Sequence, residues 1–477
     1  MIPYKNFLLA SRPLPAIAGW RQMDVFGCFL SASETVPVIP ITQDGGAVAF
    51  LLGWVADRTC LLREDRPLDL AGASIEEFRG GLCGRFVMIA RQAEGHVAVS
   101  GDAGGLFPII FDAEAGMVAS SPAVIGAYKM LEFDGLVAQA VRRTDSTVWY
   151  PFGLTPYLGV KRLLPSESLS FGRGTCAVSS ASLWLPAATK RVTADALCGQ
   201  VAEYVTSFST DGPLVAHLTA GYDSRMVMAA ILRSGIDARF LTIGGNGSGV
   251  RIDLHVARRL TRLFGMKHET VPFEAASPAE LSEWQDRVGH CIDDAVAGLC
   301  RTVKNTDSGN FTLTGACGEV GRAFYWEDGD IGATGLSPAS LLRRMGFAET
   351  ALLESEAEKW IRRLPEDSKT TLILDNAYID QRLGCWAGPS LPGHLIPRPT
   401  ISPFNSVSVY RAMMALDEEY RHSQQFAIDF IKSGSARLLS EGFNRVSGVA
   451  RFGHLKSEVK RLLPKRFLKS IRRYVKG

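Results

Sequence analysis

Apolar positions in the first 125 residues fall in short runs or strict alternation. VAFLLGWV, GRFVMIA, HVAVSGD and PIIFDAEAGMVAS are each bounded by glycine or aspartate. Runs of that length and period predict strands, and DAEAG at 112–116 predicts a hairpin connection. Few long helical patterns interrupt them, so a β-rich domain with a sheet core is expected. Residues 126–185 read as mixed, with PFGLTPYLGVKRLLPSESLSF giving a loop and then a hairpin. Beyond a proline-bearing connection the register changes. A helix is predicted to begin near Thr193-Ala194-Asp195, which sets a domain boundary near 185.

From there strand and helix patterns alternate, the mark of a parallel α/β sheet. PLVAHL predicts a buried strand, SRMVMAAILRS a helix closed by Gly235, and ARFLTIG the next strand. IDLHVARRLTRLF places Val256, Leu260, Leu263 and Phe264 on one helical face and ends at Gly265. HETVPF is a third strand. Residues 278–380 read as mainly helical around one more strand, NFTLTG.

Composition narrows the class. A chain of 477 residues is too long for one core. Hydrophobic content of 46% and charge of 21% are ordinary for a globular protein. No apolar run is long enough to cross a bilayer, and MIPYKNFLLASRPLP makes a poor signal peptide, so a cytoplasmic location is the default expectation. The nine cysteines form no CxxC pair and the eight histidines no HxH or HExxH, which argues against a disulfide framework or a zinc site. Charge is uneven: residues 451–477 carry ten Lys or Arg against one Glu, a net of +9, and the remainder a net of −6, for the total of +3. That basic, amphipathic tail reads as a solvated C-terminal helix, with an acidic partner or a membrane surface as the sharper alternative. With only the tail basic, no nucleic-acid partner is expected.

The stretch HLTAGYDSRM carries the candidate chemistry. A strand–loop–helix unit puts Thr219-Ala220-Gly221-Tyr222-Asp223-Ser224 at the C-terminal edge of a parallel sheet, where such folds bind ligands. Small residues let backbone amides approach an anion, the helix N-terminus adds donors and positive dipole, and Thr219 and Ser224 add hydroxyls. Asp223 would repel a bare phosphate but suits a Mg²⁺ ion bridging to phosphate oxygens. An Asp-Ser cap on a helix after a buried strand accounts for the same residues with no ligand at all, and on the loop alone the two readings are even.

The loop resembles the SGGxDS pyrophosphate loop of the asparagine synthetase and β-lactam synthetase group of ATP pyrophosphatases, to which lasso-peptide cyclases also belong. FLTIGG (240–245) resembles the second strand and the loop that borders adenine, and DLHVARRLTRLFGMKHETV the helix, G-x-x-H and strand that follow. LTGACGEVGRAFY (313–325) resembles LSGxGGDExxGGY and aligns Glu319 with a second Mg²⁺-binding carboxylate. SPFNSVSVYRAMMAL (402–416) resembles VPFLDxxLVExAL, and GRFVMIA through VASSPAVI resembles the class II glutaminase-like domain. The resemblance implies three regions: an αββα glutaminase-like β-rich domain over 1–185, a parallel-sheet ATP-pyrophosphatase domain of the adenine-nucleotide α-hydrolase-like kind with extra helices over 186–450, and the basic tail 451–477. It implies ATP and Mg²⁺ as cofactors. Asp223 and Glu319 would hold the metal. Thr219, Ala220, Gly221, Tyr222, Asp223, Ser224, Thr242, Gly244 and Gly315 would border the nucleotide. Asp223, Ser224, Glu319 and Lys456 would be the catalytic set. Arg225, Arg322 and Arg382 are candidate anion partners ranked below the loop, with a surface or helix-packing role as the alternative for each.

The chain departs from that group at several points. It starts Met1-Ile2-Pro3 with Cys28 as its first cysteine, so no glutaminase nucleophile is expected. Ala220 replaces the second loop glycine, Glu319 lengthens the metal-binding arm, and Pro399 stands where the group has a carboxylate. The expected activity is therefore glutamine-independent: a substrate carboxylate is adenylated and an amine of a small molecule or peptide attacks it, as in macrolactam or lasso-type cyclisation, with a precursor peptide or protease as partner. Ammonia-dependent asparagine synthesis and a catalytically inactive nucleotide-binding scaffold are the alternatives.

Overall fold

The computed structural model describes residues 5–141, 148–180, 192–245, 247–293, 297, 301–302, 311–391 and 399–444. The boundary expected near 185 and the tail 451–477 lie outside them.

The N-terminal part is a sandwich of two sheets. One has six antiparallel strands in the spatial order Val160–Arg162, Ile110–Asp112, Met117–Ala119, Phe7–Ala10, Cys28–Ser33, Trp20–Val25. The other has seven, running Thr175–Ser180, Glu167–Gly172, Val97–Gly101, Cys83–Arg91, Gly46–Ala56, Val38–Gln43, Leu68–Asp69. Only the last pair of the second sheet is parallel. The side-chain period of two decides what each face covers. Phe7 and Leu9 enter the core between the sheets with Leu30, Leu52, Val87, Ile89 and Leu169. Leu8 points the other way, toward Val124 and Ile125 of the helix Pro122–Gly126. On the far side of the second sheet, Ala49, Leu51 and Val55 pack with Ile75 and Phe78 of the helix Ile75–Gly80. Each sheet thus has a short helix on its outer face. The predicted hairpin is present, with Met117 opposite Asp112.

The C-terminal part is built on five parallel strands in the order His268–Val271, Ala238–Ile243, Leu214–His217, Phe311–Leu313, Thr400–Ile401. The chain leaves the central strand in one direction for its second and third strands. It then crosses back to place the fourth on the opposite side. The helix Tyr222–Ser234 ends at Gly235, whose φ of 71° is the left-handed closure expected of that residue. It is gripped by Ala194–Ser209 and Gln425–Gly434. A Cβ on Gly434 would stand 2.3 Å from the carbonyl oxygen of Ala229, so the last contact is backbone on backbone.

Two polar seams join the halves. Asp102, fully buried, accepts from the amides of Phe86, Gly104, Leu106 and Phe107 and, at 2.7 Å, from the Asn405 amide. Asn405 also donates to the Gly84 carbonyl at 2.6 Å and accepts from the Tyr410 hydroxyl. The second seam is the π-helix Tyr378–Ala387. Its Asp380 accepts from the Ser166 amide and hydroxyl and from the Trp360 indole, and its Gln381 from the Phe152 amide.

Asp102→Ala orphans several buried donors at once, each costing about 1–3 kcal/mol. Denaturant melts should therefore show a loss on the order of 3–5 kcal/mol. Burial pushes the Asp380 carboxyl up to about 6, against the opposing pull of its Ser166 and Trp360 donors. The neutral acid is the form that suits the site. Its contribution is complete below the ordinary value of 3.8 and is lost as pH rises through 6. The melting temperature of wild type should fall relative to that of the non-titrating Asp380→Asn variant between about pH 4 and about pH 7, which paired thermal melts would read.

Candidate functional site

The two loops singled out in the sequence leave the C-terminal ends of neighbouring strands: Leu214 pairs with Phe311 and Ala216 with Leu313. Here the strand order reverses, and in open α/β sheets this crevice is where ligands sit. The loops touch. A Cβ on Gly315 would lie 2.6 Å from the Asp223 carbonyl carbon and 2.7 Å from the Ser224 nitrogen, so only glycine fits between them. Behind it, Cys317 takes a left-handed φ of 74° and opens the short 3₁₀ turn Gly318–Arg322 that carries Glu319.

Asp223 and Glu319 stand close together. Asp223 lies in the first turn of its helix, and a Cβ on Gly318 would sit 3.2 Å from Asp223 Oδ1. Burial and then the Asp223 charge push the Glu319 carboxyl up to about 7, and the Tyr378 hydroxyl donates to Glu319 Oε2 at 2.7 Å. Burial also raises the Asp223 carboxyl, against the pull of Arg322. The guanidinium of Arg322 forks onto that carboxylate, Nε to Oδ1 at 2.7 Å and Nη2 to Oδ2 at 2.6 Å.

The loop's own donors are partly committed. The Thr219 amide and hydroxyl meet the Ser224 hydroxyl at 3.0 and 2.9 Å, and the Gly221 amide donates to the Thr219 hydroxyl. The Ala220 amide donates to Asp253 at 2.8 Å. The helix Tyr222–Ser234 has Gly221 as its N-cap and no side-chain cap, and the positive end of its dipole lies at the loop. Thr242 is buried and bonds the Leu218 carbonyl at 2.7 Å and His268 Nε2 at 2.9 Å, while the Gly244 amide donates to Val271. Thr242 thus shapes the strand end through its committed hydroxyl, and Gly244 through its backbone amide.

Arg225 takes the packing role of its two alternatives. It is fully buried and donates to the carbonyls of Leu438, Glu441, Gly442 and Ala220, with the Phe443 ring 4.1 Å from its guanidinium carbon. It is a strut that lays residues 438–444 against the loop, not an anion partner. Phe443 also stacks on Tyr222 at 3.9 Å, and the Asn444 amide donates to Ala220. Arg382 stacks on Trp386 at 3.7 Å. Lys456 lies outside the described residues.

Sequence reasoning missed Asp253, Tyr378 and Phe443. Asp253 had a signal, an acid in the first two turns of the helix after the second strand. The other two arrive from distant elements. No group of three or more His, Cys, Asp or Glu able to hold a metal occurs among the described residues. Two adjoining carboxylates at a helix N-terminus do fit a hard cation that takes its other ligands from phosphate and water. A cavity of about 590 Å³ opens elsewhere, lined by Lys369, Asp375, Glu418 and Arg421 among others, and contains none of the loop residues. Within it Lys369 pairs with Glu418 at 3.2 Å and Arg421 with Asp375 at 2.7 Å. The chain matches no family model, and no curated protein shows significant similarity to it.

Gly315→Ala should force the two loops apart. Overpacking of this kind costs about 1–3 kcal/mol. A lowered melting temperature together with faster proteolysis around residues 219–224 would register it.

Proposed function

We propose that the chain is an ATP-dependent, AMP-forming amide ligase of the asparagine synthetase and β-lactam synthetase type. The observation that carries this reading is the contact at Gly315. It brings Asp223 and Glu319, from loops after adjacent parallel strands, to one crevice at the strand-order reversal. The uncapped first turn at Tyr222–Ser224 supports an anion there. Asp223 and Glu319 would hold Mg²⁺, which when bound neutralises charge on the leaving pyrophosphate. The first-turn amides would grip the phosphates, and the strand end at Thr242–Gly244 would border adenine. A substrate carboxylate attacks the α-phosphorus, pyrophosphate leaves, and an amine then displaces AMP from the acyl carbon. In-line positioning and charge stabilisation supply most of the acceleration.

The N-terminal sandwich acts as a scaffold in this reading. Cys28 is buried in its interior, and burial together with Asp24 raises its thiol, the opposite of an activated nucleophile. The amine then comes from the substrate itself, which favours intramolecular closure of a small molecule or peptide. A precursor peptide and a protease would be its partners, and Lys456 the candidate late-chain catalytic lysine.

Pyrophosphate exchange into ATP, assayed over a panel of carboxylates and acidic peptides, tests the reading. Asp223→Asn should reduce exchange at least about a hundredfold with its melting temperature retained. Asparagine formed from aspartate and ammonia would favour the ammonia-dependent alternative. No exchange with any carboxylate would favour an inactive scaffold.

A further inference from the structure

Arg322 is the one cation at the acidic pair among the described residues, and its placement has a cost. Its fork occupies both oxygens of Asp223, with side-chain exposures of 17% and 20%. Its Nη1 donates to Gln424 Oε1 at 2.9 Å, Gln424 Nε2 returns a bond to the Arg322 carbonyl, and the Tyr222 ring lies 5.3 Å from the guanidinium carbon. These bonds use three of the five N–H groups. The guanidinium is thus held on a polar hinge beside the loop, with donors left over. A divalent cation that takes Asp223 competes with the fork for its oxygens and repels the guanidinium, which favours release of the fork. The displaced, half-buried guanidinium then needs another anion.

We propose that Arg322 is a resident counter-ion that transfers from Asp223 to the polyphosphate, so that metal and nucleotide bind as a coupled pair. This rests on the nucleotide-binding reading above. In the empty site the ion pair opposes entry of the metal alone. Nucleotide alone finds Arg322 engaged and the two carboxylates repelling it. Together each ligand relieves the obstacle to the other, and linkage makes the coupling reciprocal.

The test is equilibrium binding to the full chain: Mn²⁺ followed by electron paramagnetic resonance, and a non-hydrolysable ATP analogue followed by calorimetry, each alone and together. Once the affinity of Mn²⁺ for the free analogue is subtracted, wild type should bind the pair at least roughly tenfold more tightly than separate affinities imply, within the usual range of such couplings. Arg322→Met should bind Mn²⁺ alone more tightly by a similar factor, bind the analogue more weakly, and lose the coupling. Arg322→Lys, which keeps a charge without the fork, should fall between, and Gln424→Ala should weaken the coupling if the methionine variant does not fold. Unchanged Mn²⁺ affinity and unchanged coupling in these variants would overturn the role of Arg322 while leaving the nucleotide site standing. Failure of wild type to bind Mn²⁺ and analogue even together would remove both.

Discussion

Nothing larger than a hydrogen atom fits between Gly315 and the backbone of Asp223 and Ser224. That steric limit organises the crevice. It fixes how closely the loop after the central strand approaches the loop after its neighbour, and so where two acids from distant parts of the chain stand. The strand order makes the approach available, because only where the sheet changes direction do neighbouring strands send their loops to opposite sides of one opening. The charges follow from the proximity. Glu319 rises first because it is buried and then because Asp223 is near, Arg322 forks onto Asp223 because a half-buried carboxylate needs a partner, and Tyr378 closes the far side with a hydroxyl.

Much of this framework was legible in the sequence where local signals agreed with the global fold. PLVAHL is a buried strand because both of its faces are covered, and small residues with an acid before a helical period mark the loop. The closing glycine at 235 sits where its left-handed φ is needed. Edges were harder to read. Trp20–Val25, written WRQMDV, is a half-exposed edge strand with little apolar signal, and Thr400–Ile401 pairs over only two residues. At the site, the Asp223–Glu319 pair was anticipated. The capture of the Ala220 amide by Asp253 and the fork from Arg322 were not, since a side chain's partner across the fold leaves no period or spacing to find. The π-helix was also invisible, because its turn is wider than the 3.6-residue period that betrays ordinary helices.

The two halves share one apolar cluster, in which Trp149, Phe152 and Leu164 pack with C-terminal residues, and buried hydrogen bonds fasten it. Asp102 gathers four amides of its own domain around itself and then reaches Asn405 of the other. A buried carboxyl with five donors is tolerable, whereas the same group with fewer is not. The geometry of residues 402–410, which lead out of the fifth parallel strand, is thereby tied to a turn in the sandwich. Ser402 in turn donates to the Ala316 carbonyl inside the second loop.

The wide-turned segment Tyr378–Ala387 carries this linkage further. One end offers its phenol to Glu319, while Asp380 and Gln381 and the Cys385 carbonyl are satisfied by Ser166, Phe152 and Arg162 of the sandwich. Strip the sandwich away and those buried acceptors lose these donors, Asp380 keeping the Trp360 indole, on the very stretch that steadies the acid. The parallel-sheet half is consequently no detachable module. Its partner serves as a keel, indispensable to the shape of the crevice whether or not it performs any chemistry of its own.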